Sequence, residues 1–348
     1  MKILIRATNW VGDAIMALPA LRAVRARFSE AQIVIVARPY VADIYRDQQI
    51  CNQLINYDGN GIHASFSGRE RLARELRAQK FDVALLLQNA LDAAWLAWRA
   101  NILERIGYAR DGRSLLLTKP VPVPKPGEIP PHEKFYYLEL LRRAGWIDSL
   151  PDESFIAMTV PEVKRRRAAE FLVESGARPH ALRVAIGAGA SYGSAKCWPP
   201  PRFAELASRL QAQNDADVIL FGTAAESAVS NAIAAGMRQP PIDLTGKTAI
   251  ADLPALLSQC HLFIGNDSGA MHVAAAVGLP VVAVFGPTDP LGTAPVTPHC
   301  TIVQEEPYCS PCFLRRCPTD HRCMTKITPD MVETAARSWI SSIEVQRA

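Results

Sequence analysis

The sequence predicts an α/β protein made of two doubly wound parallel sheets. Three observations carry that expectation. Short, continuous apolar runs alternate with amphipathic stretches along most of the chain, the pattern of parallel strands covered on both faces. The alternation breaks once, in a proline-rich middle, and then restarts. The 348 residues, 49% of them hydrophobic, suffice for two cores rather than one.

The first series has candidate strands at 2–6, 32–37 and 82–87, with amphipathic helices near 12–27 and 66–79. Residues 119–131, KPVPVPKPGEIPP, cannot pair in a sheet interior, because each proline lacks the N–H that a ladder uses. A helix near 132–145 follows. A second polar, proline-bounded stretch over 147–161 precedes a basic helix at 162–176 that carries Lys164, Arg165, Arg166 and Arg167. The second series has strands at 182–187, 217–221, 261–265 and 280–285 and helices near 201–213, 224–236 and 250–259. The boundary therefore falls near 155–163, giving one domain over 1–160 and another over 161–348, whose last helix could pack back on the first. Two such domains would bring the carboxyl ends of both sheets around one cleft.

Composition excludes several classes. The net charge is +4, and no basic stripe with interleaved aromatics is present, so nucleic acid is not an expected partner. No uncharged run approaches the ~20 residues that span a bilayer. Arg6, Asn9 and Asp13 interrupt any apolar leader, so a cytoplasmic protein with mostly reduced cysteines is expected.

The most informative segment is Gly265-Asn266-Asp267-Ser268-Gly269-Ala270-Met271-His272, which follows an apolar run and precedes a helical one. Asn266, Asp267 and Ser268 are good N-caps, and Gly269 lets a ligand approach the backbone. A helix beginning there aims unpaired N–H groups and a positive dipole end at whatever lies above the sheet, which suits a diphosphate. An ordinary capped helix gives the same pattern. Trp10-Val11-Gly12-Asp13 follows the first strand. Gly12 permits a tight turn, and Asp13 is either a first-turn helix acid or a carboxylate able to take a proton from an attacking hydroxyl.

The run Gly187-Ala188-Gly189-Ala190-Ser191 lacks the third glycine of the dinucleotide fingerprint. The loop after it carries Ser191, Ser194 and Lys196, whose hydroxyls and ammonium can hold phosphate oxygens or simply face water. Glu226, after another strand, can accept from ribose hydroxyls or serve as a first-turn acid. The tail places Cys309, Cys312, Cys317 and Cys323 within fifteen residues. A structural zinc site is one reading and a thiol-rich loop the other; the remaining cysteines read as small buried residues.

In this order, Lys2-Ile3-Leu4 through Trp10-Val11-Gly12-Asp13, Leu18-Pro19-Ala20-Leu21, Lys196-Cys197-Trp198-Pro199, Asn266 through His272 and Phe285-Gly286-Pro287-Thr288-Asp289-Pro290 resemble the ADP-heptose:lipopolysaccharide heptosyltransferases of glycosyltransferase family 9, most closely the heptosyltransferase II branch. The resemblance covers nearly the whole chain. It implies a GT-B fold, with the acceptor on the N-terminal domain and the nucleotide-sugar on the C-terminal one. It also implies inverting transfer of L-glycero-D-manno-heptose from ADP-heptose to a heptose of the lipopolysaccharide inner core. On this chain it assigns the general base to Asp13 and the diphosphate-binding lysine to Lys196. Donor binding falls to Ser191, Ser194, Glu226, Asp267, Ser268, Gly269 and His272. No cofactor is implied beyond the zinc reading of the tail. The implied partners are ADP-heptose, a lipid-A-linked acceptor and the cytoplasmic face of the inner membrane, met by a monomer. A nucleotide-sugar epimerase of the same fold and a heptosyltransferase I-type activity on a Kdo acceptor are the alternatives.

Overall fold

Strand β1, Lys2–Arg6, buries three apolar residues, Ile3, Leu4 and Ile5, and ends on Arg6, which is buried as well. The computed structural model describes residues 1–347, with side chains described through 343. The chain divides into two units, Met1–Glu153 and Ser154–Ala348, a division just upstream of the 155–163 stretch expected from sequence.

The first unit holds β1, β2 (Gln32–Ala37), β3 (Gln53–Asn56), β4 (Val83–Leu86), β5 (Glu104–Tyr108) and β6 (Lys119–Val121) in the order β3-β2-β1-β4-β5-β6, all pairs parallel. The helix expected over 12–27 is two helices, Val11–Met16 and Leu18–Arg27; Pro19 withholds the N–H that would continue one into the other. The start of the proline run does pair, but only as the edge strand β6, where a missing donor leaves no gap in the ladder.

The second unit holds β7 (Arg183–Gly187), β8 (Asp217–Leu220), β9 (Ile242–Asp243), β10 (Leu262–Asn266), β11 (Val281–Phe285) and β12 (Cys300–Gln304), in the order β12-β11-β10-β7-β8-β9. Read from β9, this repeats the order of the first unit: the third, second and first strands, then the fourth, fifth and sixth. Its core gathers Val184, Ile186, Trp198, Phe203, Ile264, Val282 and Val284. The last helix, Pro329–Arg347, packs on this unit, against helix Pro200–Asn214 and strands β10, β11 and β12.

In each sheet the strand order reverses between the first strand and the fourth, β1 and β4 in one unit and β7 and β10 in the other. Chains leave these neighbouring strands in opposite directions, so a crevice opens at their carboxyl ends, where open α/β sheets bind ligands.

Candidate functional site

In the second unit the reversal point is formed by the loop after β7 and the turn after β10. Asn266, the last residue of β10, is fully buried and ties the two together. Its Oδ1 accepts from the Trp198 backbone N–H at 3.0 Å, and its Nδ2 donates to the Ala188 carbonyl at 2.6 Å. Trp198 is anchored beneath them, its indole N–H donating to the Ile327 carbonyl at 2.9 Å. Ser268 caps helix Gly269–Ala276, accepting from the Met271 N–H at 3.5 Å. The first-turn N–H groups of that helix thus open at the carboxyl end of the sheet.

Lys196 and Asp267 meet here. The Lys196 Nζ pairs with Asp267 Oδ2, with side-chain exposures of 11% and 5%. The same oxygen accepts from the buried Thr288 hydroxyl at 2.7 Å, a partner the sequence had not singled out. The Lys196 ammonium also lies 4.7 Å from the centroid of the Tyr192 ring. Two nearly buried opposite charges with a hydroxyl to position them form a rigid cation mount at the helix start.

The other sequence-predicted donor residues divide. Glu226 accepts from the Thr223 N–H at 2.7 Å and from its hydroxyl at 2.9 Å, both through Oε2. Its Oε1 occupies space that a side chain at Gly189 would need, since a Cβ there would lie 1.8 Å away. Glu226 therefore leans over the β7 loop with one oxygen unused among the described residues. Ser191 and Ser194 are exposed on that loop. His272 is buried, 4% exposed, one turn into the helix.

In the cysteine-rich tail, Cys309, Cys312 and Cys317 lie near enough to Cys323 to add to the rise that burial gives its thiol pKa. Among the described residues no three His, Cys, Asp or Glu groups are placed to hold a metal ion, and all four cysteines are free thiols. Cys309 is exposed, the Cys317 thiol bonds with the Thr319 hydroxyl at 3.5 Å, and Cys323 is buried beside Gly286. The tail braces the lysine loop. The Tyr192 hydroxyl donates to the Phe313 carbonyl at 2.6 Å, the Ala195 N–H to the Arg315 carbonyl at 3.1 Å, and His321 Nε2 bonds with the Ala195 carbonyl at 2.7 Å. Gly193 runs so close to the Arg315 carbonyl that a Cβ would sit 2.2 Å from its oxygen.

In the first unit Asp13 lies in the first turn of helix Val11–Met16, half-buried, just beyond Gly12. Tyr45 and Tyr137 are buried around it; burial, and then Asp13, push the Tyr137 phenol well above its ordinary pKa.

Along the same carboxyl edge stands a cluster that sequence reading missed. The buried Arg6 guanidinium lies 4.5 Å from the Tyr57 ring centroid and donates to the Ala7 carbonyl at 3.0 Å and to Asn9 Oδ1 at 3.3 Å. Burial lowers its pKa against the opposing pull of Asp92. Arg38 lies 6.0 Å from the same ring centroid. Burial raises the Tyr57 phenol to about 12, and Arg69 is close enough to pull against that rise. Arg38 and Arg69 are half-buried, and among the described residues neither guanidinium donates a hydrogen bond or pairs with a carboxylate. The available signal was an arginine at or just past the carboxyl end of two adjacent apolar strands. Behind the edge, Arg113 is fully buried, its pKa pushed down to about 10 by burial, and it props the β4 loop through Asn89 Oδ1 at 2.7 Å.

Comparison with known proteins agrees with this geometry. Residues 69–322 match the sequence model of glycosyltransferase family 9 (heptosyltransferase). The chain is 30% identical to lipooligosaccharide heptosyltransferase 2 of Haemophilus influenzae over 318 residues, covering 87% of this chain and 88% of that protein. It is likewise 30% identical to lipopolysaccharide heptosyltransferase 2 of Salmonella typhimurium over 314 residues, with the same coverage. The solved structure of Escherichia coli ADP-heptose lipopolysaccharide heptosyltransferase II superposes with a TM-score of 0.82 at 26% identity, over 99% of this chain and 100% of that one.

Proposed function

The chain belongs to glycosyltransferase family 9 and has the GT-B fold, and from that premise we propose that it transfers L-glycero-D-manno-heptose from ADP-heptose to a heptose of the lipopolysaccharide inner core, with inversion at the anomeric carbon. The observation that carries the reading is the buried Lys196–Asp267 pair mounted at the start of a capped helix. A lysine held at a helix N-terminus supplies fixed positive potential where a leaving diphosphate gathers charge.

In this account Asp13 accepts the proton of the acceptor hydroxyl as that oxygen attacks the anomeric carbon opposite ADP. The C1–O bond to the diphosphate breaks, and its electron pair leaves with ADP. Lys196 and the N–H groups at Ser268, Gly269 and Ala270 meet the charge as it develops, so their binding strengthens in the transition state. Asp267 and Thr288 are positioning residues for Lys196. Glu226 Oε1 accepts from the ribose, Ser191 and Ser194 contact the diphosphate from the loop, and His272 supports the helix start from within. Arg38 and Arg69, backed by Arg6, hold a carboxylate or phosphate on the acceptor, the chemistry that unpaired guanidinium groups fit.

No described helix is long and apolar enough to cross a membrane, and we read the protein as a monomeric enzyme of the cytoplasmic membrane face. The deciding experiment incubates purified protein with ADP-heptose and core acceptors trimmed to one heptose or to none. The account expects ADP release with one heptose added to the one-heptose acceptor. Transfer to the heptose-free acceptor would assign the Kdo-directed activity instead. Release of an altered nucleotide-sugar without acceptor would make the protein an epimerase.

A further inference from the structure

Helix Leu91–Arg99 turns an apolar stripe toward solvent. Leu91 and Trp98 are 54% and 46% exposed, and Trp95, between them on the same helical face, is half-buried. Phe66, at the start of the neighbouring helix Phe66–Ala78, is exposed and tilts its ring against Trp95 at 5.6 Å. Leu115, 95% exposed, stands on the short turn Ser114–Leu116 packed beside the same helix. Single exposed apolar residues are ordinary. Four large exposed ones gathered around one helix, with the half-buried Trp95 between them, mark a surface that meets something.

The charge around the stripe indicates what it meets. Helix Phe66–Ala78 exposes Arg71, Arg74 and Arg77 against one exposed acid, Glu75, and among the described residues none of the three arginines forms an ion pair. Arg99, which lies 5.7 Å from the Trp98 ring centroid, is already paired with Glu70, so among the described residues the exposed, unpaired cations beside the stripe are Arg71, Arg74 and Arg77. Residues 1–153 contain 21 Lys and Arg against 17 Asp and Glu, and residues 154–348 contain 17 of each, so the whole net charge of +4 falls on the unit that bears the stripe. Tryptophan prefers the headgroup layer of a bilayer, and long arginines extend from an apolar base to lipid phosphates. The stripe also begins two residues past Asn89, at the carboxyl edge shared with Asp13.

We propose that the face made by helices Phe66–Ala78 and Leu91–Arg99 docks the protein on an anionic phospholipid bilayer. The proposal rests on the transferase reading for its purpose: a lipid-anchored acceptor would reach the edge that holds Asp13 without leaving the membrane.

The test is co-sedimentation of the full chain with vesicles of phosphatidylcholine, alone or mixed with phosphatidylglycerol. Wild type should pellet with the mixed vesicles and be released by salt. Arg71→Gln with Arg74→Gln should weaken binding roughly fivefold per arginine, about 25-fold together. Trp98→Ser with Leu115→Ser should weaken it at least about tenfold. Both variants should keep the wild-type Tm and the wild-type kcat/KM on a delipidated acceptor oligosaccharide. Wild type that stays in the supernatant, or variants that pellet as wild type does, would overturn the proposal. So would a wild-type dimer that Trp98→Ser with Leu115→Ser dissociates, which would give the face to a second copy of the chain. Vesicle binding as expected, with no heptose transfer to any acceptor, would sink the transferase reading and leave the docking face standing.

Discussion

Replacing Lys196 with methionine separates two things the lysine does. Its ammonium offsets the Asp267 carboxylate, which is 5% exposed and otherwise has the Thr288 hydroxyl at 2.7 Å. Removing one member of a buried pair strands the other charge, at a cost of about 3–5 kcal/mol. The Thr288 bond remains, which favours the lower end, about 3 kcal/mol. For a unit of this size each kcal/mol shifts Tm by about 2–4 °C, so Tm should fall by about 6–12 °C. Adding Asp267→Asn removes the stranded charge, and the double variant should recover most of that loss, because replacing both partners is close to neutral. Activity should not recover with it: losing one electrostatic donor at the leaving group costs on the order of 10²–10³ in kcat. The assays are thermal unfolding and steady-state ADP release with ADP-heptose. A single variant with unchanged kcat/KM for ADP-heptose, or a double variant that regains activity along with stability, would refute the reasoning.

Other outcomes follow from the same structure. Arg38→Gln with Arg69→Gln should raise KM for an anionic acceptor while leaving KM for ADP-heptose unchanged, and the loss should shrink on an acceptor stripped of its phosphates and carboxylates; equal losses on both acceptors would remove the arginines from recognition. Glu139 is almost fully buried between Arg142 at 2.7 Å and Arg143 at 2.5 Å, and hydrogen bonds from Arg142 and then Arg143 hold its carboxyl below the ordinary range. A lowered folded pKa stabilises the fold above the unfolded value of about 4.3 and ceases to do so as pH falls through the folded one. Glu139→Gln should therefore destabilise by about 2–3 kcal/mol at neutral pH, less than a fully buried pair because Arg142 reaches water, and the gap from wild type should close in acid; a pH-independent gap would contradict the ion-pair account. The Thr319 hydrogen bond lowers the Cys317 thiol, whereas burial pushes Cys260 and Cys300 up to about 12. Alkylation followed by peptide mapping should find Cys317 modified first and those two last, and similar rates at all three sites would show the tail or the core to be packed otherwise.

What the sequence revealed depended on burial. The central strands β1, β2, β4, β7, β8, β10 and β11 are continuous apolar runs because helices cover both their faces, and each was readable. The strands missed were the edge and near-edge ones. Gln53–Asn56 has no fully buried position, Lys119–Val121 has one, and Ile242–Asp243 is only two residues long. A half-covered strand carries no apolar run to read. Helix Leu91–Arg99 was missed for a different reason: at nine residues it is shorter than the window over which an apolar period reads as a helix.

Asp13, Lys196 and Asp267 drew notice in the sequence because each lies on the chain segment that follows an apolar strand, and Asp267 also precedes the capping Ser268. Thr288 and the arginines at positions 6, 38 and 69 were not. Thr288 reaches Asp267 only when β10 and β11 align their carboxyl ends, and Arg6 and Arg38 reach the Tyr57 ring only when β1, β2 and β3 align theirs. In the tail, cysteine spacing is visible in sequence, whereas the bonds that tie the Phe313 and Arg315 carbonyls to the lysine loop span more than a hundred residues of chain.

The central claim is that the Asp13 carboxylate takes the acceptor proton. The most direct measurement is transfer by Asp13→Asn from ADP-heptose to the one-heptose acceptor, with ADP affinity determined on the same preparation by calorimetry. Asparagine keeps the shape and loses the base. Transfer should therefore fall by about 10²–10⁴ while the Kd for ADP stays near that of wild type. An Asp13→Asn enzyme that turns over within a few-fold of wild type would contradict the account.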